Sequence, residues 1–124
     1  MKIRKATRQD KGRIKKLIGL FPGALIQNHI PDIKYFFVGE DLGKIVGCCA
    51  LEIYSKRMAE IRSLAVAKSY QGQGIATKLI EHCMELARQK KIYEVLAITH
   101  RAKLFNRFGF NTFHKEKLAL LKVL

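Results

Sequence analysis

The sequence predicts an α/β fold: one mixed β-sheet, antiparallel in its first half, closed by a parallel strand pair and flanked by helices. Three observations carry this. Ile45–Tyr54 and Ala59–Val66 have strand composition and are joined by a short basic turn at Lys56-Arg57, so they pair antiparallel. From Ala59 to Ile98 the order is strand, glycine-rich loop, helix, strand, which implies a parallel crossover. After Gly74, residues Ile75, Leu79, Ile80, Cys83, Met84 and Ala87 fall on one face of that helix.

The elements follow in chain order. Lys2–Thr7 sets Ile3 among basic residues and reads as a first strand. Asp10 is placed to cap a helix over Lys11–Leu20, whose apolar stripe is Ile14, Leu17 and Ile18; Phe21-Pro22-Gly23 stops it. Ala24–Pro31 is either a short helix or an irregular flap. Tyr35–Val38 is a strand, Glu40–Gly43 a turn, and Ile45–Tyr54 the next strand, with Val46, Cys48, Ala50 and Glu52 on one face. In Ala59–Val66 the residues Glu60, Arg62, Leu64 and Val66 share a face unless a bulge shifts the register. The helix after Gly74 ends at Lys90-Lys91, where cations suit its C-terminal dipole. Tyr93–Ile98 is a strand, Arg101–Phe108 a short helix ended by Gly109, and Phe110–Phe113 a further strand. Leu118–Leu124 is apolar and reads as an edge strand or a short helix.

Composition bounds the possibilities. A chain of 124 residues with 48% hydrophobic residues suits a single domain, residues 1–124, around one core. No apolar run reaches the about 18 residues a membrane helix needs, and the charged start Met1–Lys5 is followed by no signal-like segment, so a cytoplasmic protein is expected. Three cysteines, an odd number, argue against a disulfide framework, and no His/Cys spacing suggests a metal. The formal net charge of +14 favours anionic ligands.

The segment Ser63–Ala76, SLAVAKSYQGQGIA, organises the rest. Gly72 and Gly74 let backbone N–H groups approach a ligand, and the helix behind them offers its unpaired N–H groups and positive dipole end, with no carboxylate before Glu81. A phosphate is the natural guest. A plain strand–turn–helix connection is the alternative for this loop taken alone. Its order lacks the third glycine of the dinucleotide loop and the Gly-Lys-Ser/Thr of the P-loop.

Leu64-Ala65-Val66 followed by Gln71-Gly72-Gln73-Gly74-Ile75-Ala76 resembles the acetyl-CoA signature of the GNAT acetyltransferase superfamily, Arg/Gln-x-x-Gly-x-Gly/Ala, matched by Gln71, Gly74 and Ala76. Leu104–Phe110 resembles the superfamily's later aromatic-x-x-x-Gly-Phe block. Within the superfamily, Ile45–Leu51, Ala59–Val66 and Phe105–Phe110 look most like the acetyltransferase domain of amino-acid N-acetyltransferases of the N-acetylglutamate synthase type.

The resemblance implies a GNAT-like sheet whose central parallel pair splays to hold acetyl-CoA as cosubstrate. It implies an enzyme moving an acetyl group to a primary amine. Backbone N–H groups of Gln71, Gly72, Gln73, Gly74, Ile75 and Ala76 would grip the pyrophosphate. The main chain of Leu64, Ala65 and Val66 would pair with the pantetheine arm and offer an N–H to the carbonyl. Phe105 would pack at the thiol end; it stands where many members carry a tyrosine acid, and it has no proton to donate. Glu60 and His100 are the candidate bases, histidine being a residue type suited to proton transfer near neutral pH. Arg62 and Cys48 are placed at the acceptor. Arg62 would hold a carboxylate, or else pair with Glu60 or Glu52 as a sheet contact. Ala24–Pro31 would cover the acceptor pocket, where Gln27, Asn28 and His29 could touch substrate.

The acceptor expected is a small amine such as glutamate, whose negative charge suits a basic protein. A protein lysine or N-terminal amine is the alternative. A nucleic-acid-binding module rests on charge alone and wants exposed aromatics, whereas Phe36, Phe37, Phe105, Phe108 and Phe110 sit in apolar contexts. No membrane or metal partner is expected; a homodimer is left open.

Overall fold

The computed structural model describes residues 1–112, 120–122 and 124. Among these residues five strands form one sheet in sequence order: β1 (Lys2–Lys5), β2 (Phe36–Asp41), β3 (Lys44–Ile53), β4 (Met58–Val66) and β5 (Glu94–Ala97). The first four are antiparallel neighbours, and β4 pairs parallel with β5. Helix α1 (Lys11–Gly19) and helix α2 (Ile75–Gln89) each pack on the sheet, and a short helix α3 (Ala102–Asn106) follows β5. The expected mixed α/β sheet is present.

Two apolar clusters occupy the two faces. Ile14, Leu17 and Ile18 of α1 bury against Phe36, Val38, Cys48, Ala50 and Ala65. Burial of each α1 aliphatic contributes on the order of 2 kcal/mol. Ile75, Leu79, Ile80 and Cys83 of α2 bury against Phe37, Val46, Cys49, Leu51, Ile61 and Val66. The α2 face read from the sequence is thus the packed face. Gly47 fixes how closely α2 approaches: a Cβ there would stand 3.0 Å from Ile75 Cγ2 and 3.1 Å from Leu79 Cδ1. Since Ile75 is the first residue of α2, Gly47 helps to set where the N-terminus of that helix lies.

Several boundaries move for local reasons. The β2–β3 hairpin turns at Leu42-Gly43, where φ is +50° and +75°, so β2 runs on to Asp41, past the turn expected at Glu40. Two successive positive φ values are the type I′ geometry that matches strand twist. Ala24–Pro31 is irregular, the second of its two readings. Residues 110–112 are not a strand: Phe110 N–H donates to Phe105 O at 3.3 Å and Asn111 Nδ2 to Gly109 O at 3.3 Å, so both close the end of α3. Residue 113 of that expected strand, and 118, 119 and 123 of the apolar C-terminal stretch, lie outside the described residues; 120–122 and 124 are exposed and irregular.

The bulge in β4 matters most. Ala50 pairs with Arg62 and Cys48 with Ala65, so the single β3 residue Cys49 lies opposite two residues of β4, Ser63 and Leu64. Ser63 sits at φ +55° within it. Glu60 and Arg62 therefore remain on the α1 face beside Glu52 and Ala50, while Leu64 and Val66 pass to the α2 face and Ala65 takes their place. The face shared by all four of Glu60, Arg62, Leu64 and Val66 in a regular strand does not exist.

Asp10 precedes α1 but its carboxylate does not cap that helix. It accepts from Arg4 Nη1 at 2.7 Å, Arg4 Nη2 at 3.0 Å, Arg13 Nη2 at 2.7 Å and Thr7 N–H at 2.7 Å, and it is 1% exposed. The Arg4 bonds and the Thr7 N–H, working against the cost of burial, hold its carboxyl well below the usual range. The unfolded chain therefore binds this proton more readily, and stability rises with pH through the window. Asp10→Asn is expected to cost about 3 kcal/mol at neutral pH, the cost of breaking a buried ion pair. In urea melts the gap between wild type and variant should be complete above the ordinary aspartate value of about 4 and shrink as pH falls below it.

Candidate functional site

The β4–β5 ladder stops early. The last pair is Ile61 with Ala97, yet β4 continues to Val66. The two chains diverge beyond that point, and a cleft of about 460 Å³ opens between them. One wall is β4 from Glu60 to Val66; another is Ile98 to Arg101; Phe21, Leu25 and Ile26 lie over it, and Phe105 closes the inner end. An edge-to-face contact with Phe110, centroids 5.3 Å apart, holds the buried Phe105 ring.

At the end of β4 the cleft meets a second hollow of about 320 Å³ at the start of α2. The loop between is held tightly. Ala67 N–H donates to Val46 O at 2.9 Å, Tyr70 O–H to Asp41 Oδ2 at 2.9 Å, and Gln71 Nε2 to Val66 O at 2.9 Å. Gly72 and Gly74 have φ +80° and +83°, the left-handed region open to glycine. An added Cβ at either would touch nothing within 4 Å, so conformation and not crowding requires glycine in the protein alone. The first turn of α2 carries no acidic residue, and its leading N–H groups have no partner within the helix. Ala76 and Thr77 line the hollow, as do Arg101, Leu104 and Arg107 from α3 and its flanks.

The other end of the cleft lies toward Glu60. Glu60 and Arg62 line the cleft on adjacent same-face positions of β4, about 6.5 Å apart along the strand. Tyr54 O–H donates to Glu60 Oε1. Partial burial and that bond push the Tyr54 phenol up to about 12, so it remains a proton donor at neutral pH. Arg62 donates from Nη1 to Glu52 Oε2 at 2.9 Å and from Nη2 to His29 O at 2.8 Å. It borders both the cleft and a pocket lined by Asn28, His29, Tyr35 and Glu52.

The structure brings together Glu60, Arg62, Leu64, Ala65, Val66, Gln71, His100 and Phe105 on the cleft, and Gly72, Gly74, Ile75 and Ala76 on the adjoining hollow. Ile75 contributes backbone there, since its side chain is buried against β3. Gln73 is exposed on the loop and is not part of either lining. Cys48 stands apart: it is fully buried under α1, donates from Sγ to Ser63 O at 3.3 Å, and burial pushes its thiol up to about 12. Cys48 lines neither the cleft nor the hollow. Gln27 turns away from the cleft and donates to Ile18 O and Leu25 O, each at 3.1 Å, capping the end of α1.

Tyr54, Arg101 and Arg107 adjoin the cleft or line the hollow without standing among the residues the sequence singles out. The two arginines were visible as cations around a short helix, but only the return of the chain after β5 brings them opposite the glycine loop. Tyr54 carried no local signal beyond its place six residues before Glu60.

An open cradle of backbone N–H groups, two arginines and no carboxylate in its described lining suits a diphosphate; the long apolar-walled cleft leading from it suits an extended thioester arm. Among the described residues no three His, Cys, Asp or Glu side chains are grouped to hold a metal ion. Also among them, no helix is long and apolar enough to cross a membrane.

Comparison with known proteins agrees with this chemistry. The family described as Acetyltransferase (GNAT) domain matches residues 32–112. An uncharacterized N-acetyltransferase of Chlorobaculum tepidum is 31% identical over 120 residues, covering 92% of this chain and 77% of that protein. An amino-acid acetyltransferase of Mycobacterium tuberculosis is 31% identical over 116 residues, covering 87% of this chain and 67% of that protein. Among solved structures, N-acetylglutamate synthase from Neisseria gonorrhoeae complexed with coenzyme A and N-acetyl-glutamate superposes with a TM-score of 0.79 at 29% identity; the match covers 90% of this chain and 28% of that one.

Proposed function

Because this chain belongs to the GNAT family of acetyltransferases, we propose that it acetylates the amino group of a small amino acid, glutamate foremost, with acetyl-CoA as donor. The observation that carries the acceptor's identity is the pairing of Glu60 and Arg62 on one face of β4 at the cleft. An amino acid presents an ammonium and a carboxylate a few ångströms apart, and these two side chains present the complementary charges.

Bound acetyl-CoA supplies an activated thioester; the protein supplies placement and proton transfer. Glu60, oriented by Tyr54, takes the proton from the acceptor ammonium and so exposes the nitrogen lone pair. The bulge at Ser63 turns backbone groups of β4 out of their ladder and into the cleft, where an N–H can donate to the oxygen on which charge develops. Phe105 excludes water at the inner end and moves no proton. His100, exposed on the opposite wall, is the titratable group that can return a proton to the departing thiolate.

Arg62 tests the acceptor assignment. Arg62→Ala is expected to raise the acceptor KM by on the order of 10–100-fold, the value of a charge-assisted hydrogen bond, while CoA affinity measured by calorimetry stays within about twofold. Arg62→Lys should recover part of the loss, since lysine keeps charge but not the two-pronged geometry. The bonds Arg62 already makes to Glu52 and His29 O favour a second reading, in which it clasps the 24–31 segment to the sheet and the acceptor need carry no carboxylate. Under that reading the variant loses stability, and amines lacking a carboxylate react as fast as glutamate.

A further inference from the structure

We propose that Arg101 and Arg107 form a second jaw of the phosphate site, gripping the diphosphate of CoA from the α3 side while the start of α2 holds it from the other. The inference rests on acetyl-CoA as donor and is independent of the acceptor.

The hollow beside the glycine loop has two unlike walls. Gly72, Gly74, Ala76 and Thr77 make one, and this wall offers backbone N–H groups and the positive end of a helix. Arg101 and Arg107 stand on the other, one at each end of α3. Between them Leu104 and Phe105 are 9% and 5% exposed, so α3 is seated by its apolar side and keeps both guanidinium groups at the rim. The turn after α3 is closed by Phe108 N–H to Phe105 O at 2.9 Å and Gly109 N–H to Asn106 O at 3.0 Å, with Gly109 at φ +88°. That closure fixes the backbone on either side of Arg107.

Charge and geometry agree on the guest. A diphosphate diester carries two negative charges, and the described lining of the hollow carries two arginines and no carboxylate. A guanidinium donates parallel N–H bonds to paired phosphate oxygens, and a helix N-terminus meets the remaining oxygens head-on. Neither wall alone surrounds the group.

Topology adds a consequence. Among the described residues, no ladder beyond Ile61 and Ala97 joins the β4–α2 half to the β5–α3 half. A diphosphate touching both walls ties the halves together across the gap, so CoA also acts as a cross-link that orders α3. Arg101 borders both the hollow and the cleft, and stands where the phosphate end of the ligand passes into the arm.

The test is calorimetric titration of wild type, Arg101→Gln, Arg107→Gln and the double variant with CoA and with dephospho-CoA, plus pantetheine followed by chemical-shift titration. Each single variant should bind CoA about tenfold more weakly, and the double variant about a hundredfold. The losses should be the same with dephospho-CoA and absent with pantetheine. Amide exchange at residues 101–108 should slow on adding CoA and not on adding pantetheine. Unchanged CoA affinity in the double variant would overturn the proposal. Losses that vanish with dephospho-CoA would also overturn it, by moving the arginines to the ribose phosphate, as would equal losses with pantetheine, which would make their role structural. Failure of the wild type to bind CoA would instead refute the donor assignment beneath it.

Discussion

Gly74→Val is expected to weaken CoA binding by about 100-fold or more in a protein that still folds. Gly74 immediately precedes α2 at φ +83°, a conformation that costs an L-residue roughly 1–2 kcal/mol and a β-branched one more. No atom lies within 4 Å of the added Cβ, so the apolar core is untouched and Tm should fall by only a few degrees. The side chain instead projects from the loop that must lie flush against phosphate, and relief of the strain rotates the N–H groups of Gly74 and Ile75 away from it. Gly74→Glu adds like-charge repulsion and should be at least as severe. Calorimetry with CoA and a thermal melt of the same sample read the two effects separately. A folded Gly74→Val protein with wild-type affinity is incompatible with a phosphate at this loop.

Glu60→Gln is expected to lower kcat by about 10²–10⁴, the usual contribution of a positioned base. The substitution keeps size and the capacity to accept the Tyr54 O–H, so folding and CoA affinity should hold. His100→Ala probes the other proton transfer, because His100 lines the same cleft from the opposite wall and is proposed to protonate the thiolate; its loss should be smaller than that at Glu60. A small loss at Glu60 with a large one at His100 would reverse the two roles. Small losses at both would leave proton removal to water.

Much of this site is legible in the sequence, for an identifiable physical reason. The proposed phosphate loop would use main chain from consecutive residues, and its glycines, at positive φ within a strand–helix junction, are written directly in Gln71–Ala76. The α2 stripe is equally legible, because helix periodicity needs no knowledge of the partner face. What failed was long-range or positional. The β4 bulge depends on how nine residues of β4 are matched to β3, and no residue type announces Ser63 at φ +55°. Arg101 and Arg107 acquire meaning only when α3 folds back against the loop. Cys48 illustrates the opposite error: alternation put it on the same strand face as Glu52, but α1 covers that face at Cys48 and leaves Glu52 at the rim. Asp10 stands just before α1 as expected, yet Arg4 and Arg13, six and three residues away, take its carboxylate, and a helix-cap pattern does not distinguish a capping carboxylate from one held by neighbouring arginines.

The central claim is acetyl transfer from acetyl-CoA to a carboxylate-bearing amine. It is tested most directly by incubating the protein with acetyl-CoA and, separately, glutamate, glutamine, aspartate, arginine, lysine and a carboxylate-free amine, and identifying acetylated products by mass. The account predicts stoichiometric release of CoA with an N-acetylated amino acid, glutamate fastest, and negligible product from the carboxylate-free amine. Equal rates across all amines, or CoA binding with no acetylated product from any of them, would contradict it.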